Sequence, residues 1–278
     1  MLASLPLHEI APLAAALVAG GLLMGFLSGL LGIGGGGIVV PVLYELFRVT
    51  GMDDSIRMKV CVATSLAVII PTSIRAASSH WGRGSMDFCV LRRLGPWFVL
   101  GATLGVVIAA RSPAGLLKGV FVASTLFLAW HMAFGKNGAA AAEKLPGLPW
   151  DGLAGASIGL ISALIGIGGG VYITSYLKLF GWPIHKAVGT ASGFGPIIAI
   201  PGVLGYIVEG WGVPTGIPLS LGFVSFAAAL VVAPLSVLAA PLGVRVAHML
   251  SRRALEYVFI AFLLTVASRF IVSLLFHV

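Results

Sequence analysis

Charge is scarce in this chain. Only 9% of its 278 residues are Asp, Glu, Lys or Arg, where a soluble domain carries about 25%. Acidic residues are scarcest: nine, against 17 Lys and Arg, a formal surplus of +8. With a mean hydropathy of +1.07, the sequence excludes a soluble globular domain and leaves an integral membrane protein. The basic surplus does not describe a nucleic-acid surface, because the Lys and Arg residues are scattered singly through interhelical loops, where they set orientation in the bilayer. There are only two cysteines, Cys61 and Cys89, enough for one bridge at most, and each reads as a small hydrophobe in or beside an apolar segment. The six histidines make no metal-ligand spacing with acids or cysteines. No Ser-His-Asp or paired-carboxylate arrangement is present, so neither an enzyme, a metal nor a cofactor is expected.

Glycine is what the chain has in quantity, 38 residues, and its placement organises the rest. The stretch GLLGIGGGGIVVP, Gly29 to Pro41, is echoed by SALIGIGGGVYIT, Ser162 to Thr174. Gly25 to Gly36 and Gly159 to Gly170 share eight identical residues over twelve positions. Each copy follows a long apolar run and precedes a shorter one. A Gly run holds helix poorly, at about 1 kcal/mol per Gly relative to Ala. In hydrocarbon, the backbone groups it frees survive only where protein or a wet cavity satisfies them. Two such breaks in matching positions point to a transporter binding site. Gly32 to Gly37 also spells G-x-G-x-x-G, but a membrane helix stands where the dinucleotide motif needs a strand, and Val171 breaks the pattern in the second copy.

The length allows roughly eight to ten spanning or half-spanning segments at about 20 residues per crossing. The first is expected from about Ala11 to Leu31, too long an apolar run for a signal peptide. Others follow over about 37–47, 58–77, 88–110 and 115–134. Residues 135–151 read as a linker, small, polar and Pro-punctuated. It separates a first membrane repeat (1–134) from a second (152–278), whose segments fall at about 153–165, 171–180, 187–208, 217–247 and 254–276. The echo extends beyond glycine. KVCVATS (Lys59 to Ser65) parallels KAVGTAS (Lys186 to Ser192), and Trp81-Gly82 parallels Trp211-Gly212. The fold expected is therefore all-α and membrane-embedded, two five-segment repeats each opening with a Gly-broken hairpin. Five is odd, so the halves would lie inverted, the plan of secondary transporters.

Close helix packing accounts for Gly20, Gly21, Gly25 and the pair Gly101 and Gly105. The recurrent runs exceed what packing needs. A half-helix starting after each break would aim bare N–H groups and a positive dipole end at a midplane cavity, which favours an anion. The expected substrate-binding residues are Gly34, Gly35, Gly36, Gly168, Gly169 and Gly170 from the breaks. The hydroxyls of Thr64, Ser65, Thr190 and Ser192 recur with the repeat and join them, although a membrane Ser or Thr can instead bond its own helix. Arg75 reads as snorkelling to the interface, and Lys59 and Lys186 as interfacial or as a vestibule attracting anions.

The doubled G-x-G-G-G motif, each copy followed by a segment opening K-x-x-x-[AT]-[TA]-S, resembles the sulfite exporter TauE/SafE family of membrane permeases. The resemblance covers essentially the whole chain. It implies export of sulfite or a related small sulfur-containing organic anion (a sulfonate) by a multi-pass protein of the bacterial inner membrane. A passive anion channel, or a permease for another small organic anion, shares the same elements. The partners implied are the anion and the lipid bilayer, with no nucleic acid, and a homodimer is one candidate assembly.

Overall fold

The computed structural model describes residues 15, 17–26, 36–134, 145–217, 219–249 and 252–276. The first Gly run up to Gly35, including Gly34, and most of the linker therefore lie outside the described residues. The chain forms α1 (Leu17–Phe26), α2 (Gly36–Val49), α3 (Asp54–Gly82), α4 (Phe88–Arg111), α5 (Ala114–Phe134), α6 (Trp150–Ile165), α7 (Gly170–Leu179), α8 (Ile184–Glu209), α9 (Phe226–Met249) and α10 (Arg252–Phe276). Five of these, α3, α4, α5, α8 and α9, are long and apolar enough to cross a membrane; α1 and α6 are shorter apolar helices. The protein is a multi-pass, mostly helical membrane protein.

Several boundaries differ from the sequence reading. α3 begins at Asp54 rather than near Met58, because Asp53 caps it, its carboxylate accepting the Ser55 N–H at 2.8 Å. The segment expected from about Ile217 begins at Phe226, after a two-stranded antiparallel hairpin, β1 (Ser220–Leu221) and β2 (Val224–Ser225). Gly222 makes that turn at φ +56°, and a Cβ there would collide with the backbone of α8 at Ile207. This short hairpin is a local addition to an otherwise all-α chain. α6 also starts two residues inside the expected linker.

Small residues set the packing. A Cβ on Gly105 of α4 would lie 2.6 Å from Leu160 O of α6, and one on Gly159 of α6 would lie 2.5 Å from Phe98 O. Gly101 and Gly25 touch backbone as closely, at Ala156 and at Ser236 of α9. Helices α4 and α6 therefore meet backbone to backbone, as do α1 and α9. On the other face of α4, Leu100, Leu104 and Ile108 form an exposed apolar stripe, fit for lipid. Helices α3 and α8 cross antiparallel through the centre: Gly195 fits against Ser73, and Gly202 against Leu66. Pro71 is tolerated within α3, where Thr72 and Ser73 hydroxyls bond back to the carbonyls of Val68 and Ile69.

Two polar clusters tie the ends. At one end Lys118 Nζ donates to both Asp54 oxygens (2.8 Å each) and to Ser273 Oγ (3.1 Å). Tyr44 Oη donates to Asp54 at 2.8 Å, with Arg57 and Lys118 flanking its ring. At the other end Asp151 is fully buried. Arg93 and Tyr176 (2.7 Å) donate to its carboxylate, as does the Gly147 N–H at 3.2 Å. Asp151 therefore belongs to the first turn of α6, not to a loop.

Candidate functional site: the glycine break between α6 and α7

The second Gly run breaks the helix in a specific way. Gly166, Gly168 and Gly169 take φ of +69°, +71° and +73°, the left-handed region that glycine enters without a side-chain penalty. Gly166 caps α6 by donating to Ser162 O at 2.9 Å, and the Ile167 N–H donates to the same carbonyl at 3.3 Å. Carbonyls that the helix end leaves over are taken by other helices. Tyr206 Oη of α8 donates to Ala163 O at 3.1 Å, and Ser65 Oγ of α3 donates to Gly166 O at 2.7 Å. Three carbonyls at the break, those of Ser162, Ala163 and Gly166, are thereby carried by protein, as hydrocarbon requires.

The break lies deep. A Cβ on Gly166 would meet Val40 Cγ2 of α2 at 3.0 Å and Val62 Cα of α3 at 3.1 Å. One on Gly168 would meet Ile69 at 3.0 Å, and one on Gly169 would meet Ile198 Cδ1 at 2.7 Å. Ile69 and Ile198 stand near the middles of α3 and α8, so the break sits at mid-depth of the two crossing spans.

Beyond it α7 turns back. Tyr176 reaches Asp151 in the first turn of α6, so α6 and α7 form a hairpin with both outer ends on one side. Helix α2 runs the opposite way. Its first turn is central, Gly37 having its Cβ position 3.8 Å from Ile167 Cδ1 of the break. Its last turns reach Asp54 at the start of α3 through Tyr44. Two short helices thus begin at the core and leave toward opposite ends, N–H ends inward. Among the described residues no side chain caps the N-terminus of α7. Next to it lies Ser162, 0% exposed, its Oγ 3.0 Å from the Cβ position of Gly169 and without a hydrogen-bond partner among the described residues.

The family model for the sulfite exporter TauE/SafE matches residues 17–270. The chain belongs to the TauE/SafE family. It is 32% identical over 248 residues to a probable membrane transporter protein of Haemophilus influenzae, covering 89% of this chain and 94% of that one. A probable membrane transporter protein of Methanocaldococcus jannaschii is 27% identical over 243 residues, covering 85% and 87%. One from Bacillus subtilis is 27% identical over 195 residues, covering 68% and 77%. No solved structure matches. Family membership and five helices of spanning length make this a multi-pass membrane protein of a transporter family.

The structure of this TauE/SafE protein engages the hydroxyls singled out from sequence. Thr64 Oγ1 accepts the Ser225 N–H ahead of α9, and Thr190 Oγ1 accepts the Asp87 N–H ahead of α4, each at 3.0 Å. Ser65 holds the break, and Ser192 bonds its own helix at Gly189 O (2.7 Å). Arg75 is exposed, as snorkelling requires. Lys59 donates to Ala110 O at 2.7 Å, which closes the end of α4. Ser162 was not among the residues expected to bind. The signal was available, since serine is one of the positions both motif copies share, as Ser28 and Ser162.

Proposed function

We propose that this TauE/SafE protein exports sulfite or a related small sulfonate anion through a central site built by its two Gly-rich breaks. The observation that carries the reading is the pair of short helices whose N-terminal ends face inward, α7 uncapped beside a buried hydroxyl that has no partner among the described residues. Helix N-termini carry partial positive charge and unpaired N–H donors, a match for an oxyanion. Gly34, Gly35 and Gly36 would line the site from one side, and Gly168, Gly169 and Gly170 from the other. Ser65 acts from behind by fixing the break, while Thr64 and Thr190 hold the starts of α9 and α4. The substrate class comes from the family description, sulfite exporter; the reading assigns a transporter, not an enzyme, in a bacterial inner membrane.

Inverted repeats, residues 1–134 and 152–278 about a linker at 135–151, belong to the same proposal. Crossed contacts support them: α3 holds the start of α9 through Thr64, and α8 holds the start of α4 through Thr190. Likewise Gly25 of α1 packs on α9, while its echo Gly159 of α6 packs on α4.

The test is reconstitution into liposomes with sulfite, sulfate, thiosulfate, taurine and sulfoacetate offered in turn. Saturable uptake or exchange of sulfite or a sulfonate is expected. Non-saturating flux would make the protein a channel, and no flux of any sulfur anion above protein-free liposomes would overturn the substrate class.

A further inference from the structure

We propose that Ser162 is the specificity-determining hydrogen-bond donor of the transport site, giving its Oγ–H to one oxygen of a sulfite or sulfonate group seated at the N-terminus of α7. The inference rests on the functional reading above and names the side chain that would read the anion's oxygens. Hydroxyls inside membrane helices normally bond back to their own backbone. Here Thr72, Ser73, Thr103, Ser112, Thr125 and Ser192 all do so. Ser162 does not. Its carbonyl is fully used by the Gly166 and Ile167 N–H groups, yet its hydroxyl has no partner among the described residues although the residue is 0% exposed.

Placement gives that unpaired donor a direction. The Oγ lies against Gly169, the residue that opens α7 in a left-handed conformation and offers no side chain to cap it. A side chain at 169 would press on Ile198 Cδ1, Ser162 Oγ and Ile173 Cδ1, so only glycine lets α7 start this close to the Ser162 hydroxyl. An oxyanion is acceptor-only, and it would meet the N–H groups of the first turn of α7 along one direction and Ser162 Oγ–H along another. A buried donor left unpaired is costly unless a ligand completes it. Ser162 is thereby expected to weaken the empty protein slightly and strengthen the loaded one.

The test uses the full chain carrying Ser162→Ala or Ser162→Cys, the latter keeping the shape with only a weak S–H donor. Thermal unfolding in detergent is measured without added anion. Half-saturation is then measured for sulfite and taurine in proteoliposomes. Both variants should unfold at or above the wild-type temperature, while half-saturation rises about tenfold in each. Wild-type-like half-saturation in the Ala variant would overturn the role of Ser162 while leaving the transport reading intact, and so would wild-type-like half-saturation in the Cys variant, since the shape would then suffice. Wild-type protein that moves neither sulfite nor taurine overturns the functional reading and this inference with it.

Discussion

At residue scale the protein turns on a few glycines that no other residue replaces. Gly166 combines a left-handed φ with neighbours that are backbone and a short branched side chain, Val62 Cα and Val40 Cγ2. Gly212 has a similar φ of +80° with nothing near its Cβ position. Ala at 212 should cost only the left-handed penalty, about 1–2 kcal/mol. Ala at 166 should cost that plus crowding, about 2–4 kcal/mol together, seen as a lower unfolding temperature in detergent. Equal losses at the two sites would mean that the break is not packed as described. The glycines were legible because they repeat, and the hydroxyls because they recur with them. Their partners were not, because Ser65 and Gly166 lie a hundred residues apart in the chain. Thr64 and Thr190 perform matching tasks although the echo aligns Thr64 with Ala191, an offset that only the contacts reveal.

At the scale of elements, each short half-helix is tied outward through a tyrosine and a carboxylate. Tyr44 of α2 donates to Asp54, which Lys118 holds; Tyr176 of α7 donates to Asp151, which Arg93 holds. The α6–α7 hairpin has no other base of this kind among the described residues. Removing Arg93 leaves a fully buried carboxylate with one strong partner fewer. Because Arg93 is itself part-exposed, the loss should lie near the lower end of the usual range, about 3 kcal/mol. Tyr176→Phe should cost about 1.5–3 kcal/mol, the worth of a hydrogen bond to a charged group. Combining Arg93→Ala with Asp151→Asn should recover part of the stability, since no bare charge then remains buried. Arg93→Ala protein that unfolds like wild type would show that the hairpin is not fastened there. Sequence placed Asp151 in a loop because it follows a Pro- and Gly-rich stretch. Its burial depends on α4 and α7 arriving from elsewhere, which local composition does not encode. The half-helices themselves were legible, since an apolar run of about ten residues after a Gly run is too short to cross.

At the scale of the whole molecule, the anion export proposed above needs a driving force. Proton-coupled carriers usually keep a carboxylate in the membrane as the relay. Among the described residues Asp54, Asp151, Glu45 and Glu209 are in ion pairs with Lys118, Arg93, Arg269 and Arg111. Asp53 and Asp87 cap helices. None of these carboxylates lies at the break. An anion leaving a cell with a negative interior needs no relay: each unit of charge gains about 2.3 kcal/mol per 100 mV, roughly fifty-fold in concentration. Flux should therefore be electrogenic and uncoupled from protons, with export driven by membrane potential. The measurement is efflux from sulfite-loaded proteoliposomes whose potential is clamped with potassium and valinomycin, with and without a pH gradient. Efflux should follow the potential and ignore the gradient. If it follows the gradient instead, Glu45 becomes the first residue to neutralise, because its carboxylate is shared between Arg48 and Arg269 near the end of α2, the half-helix that leads from the core to one end of the protein.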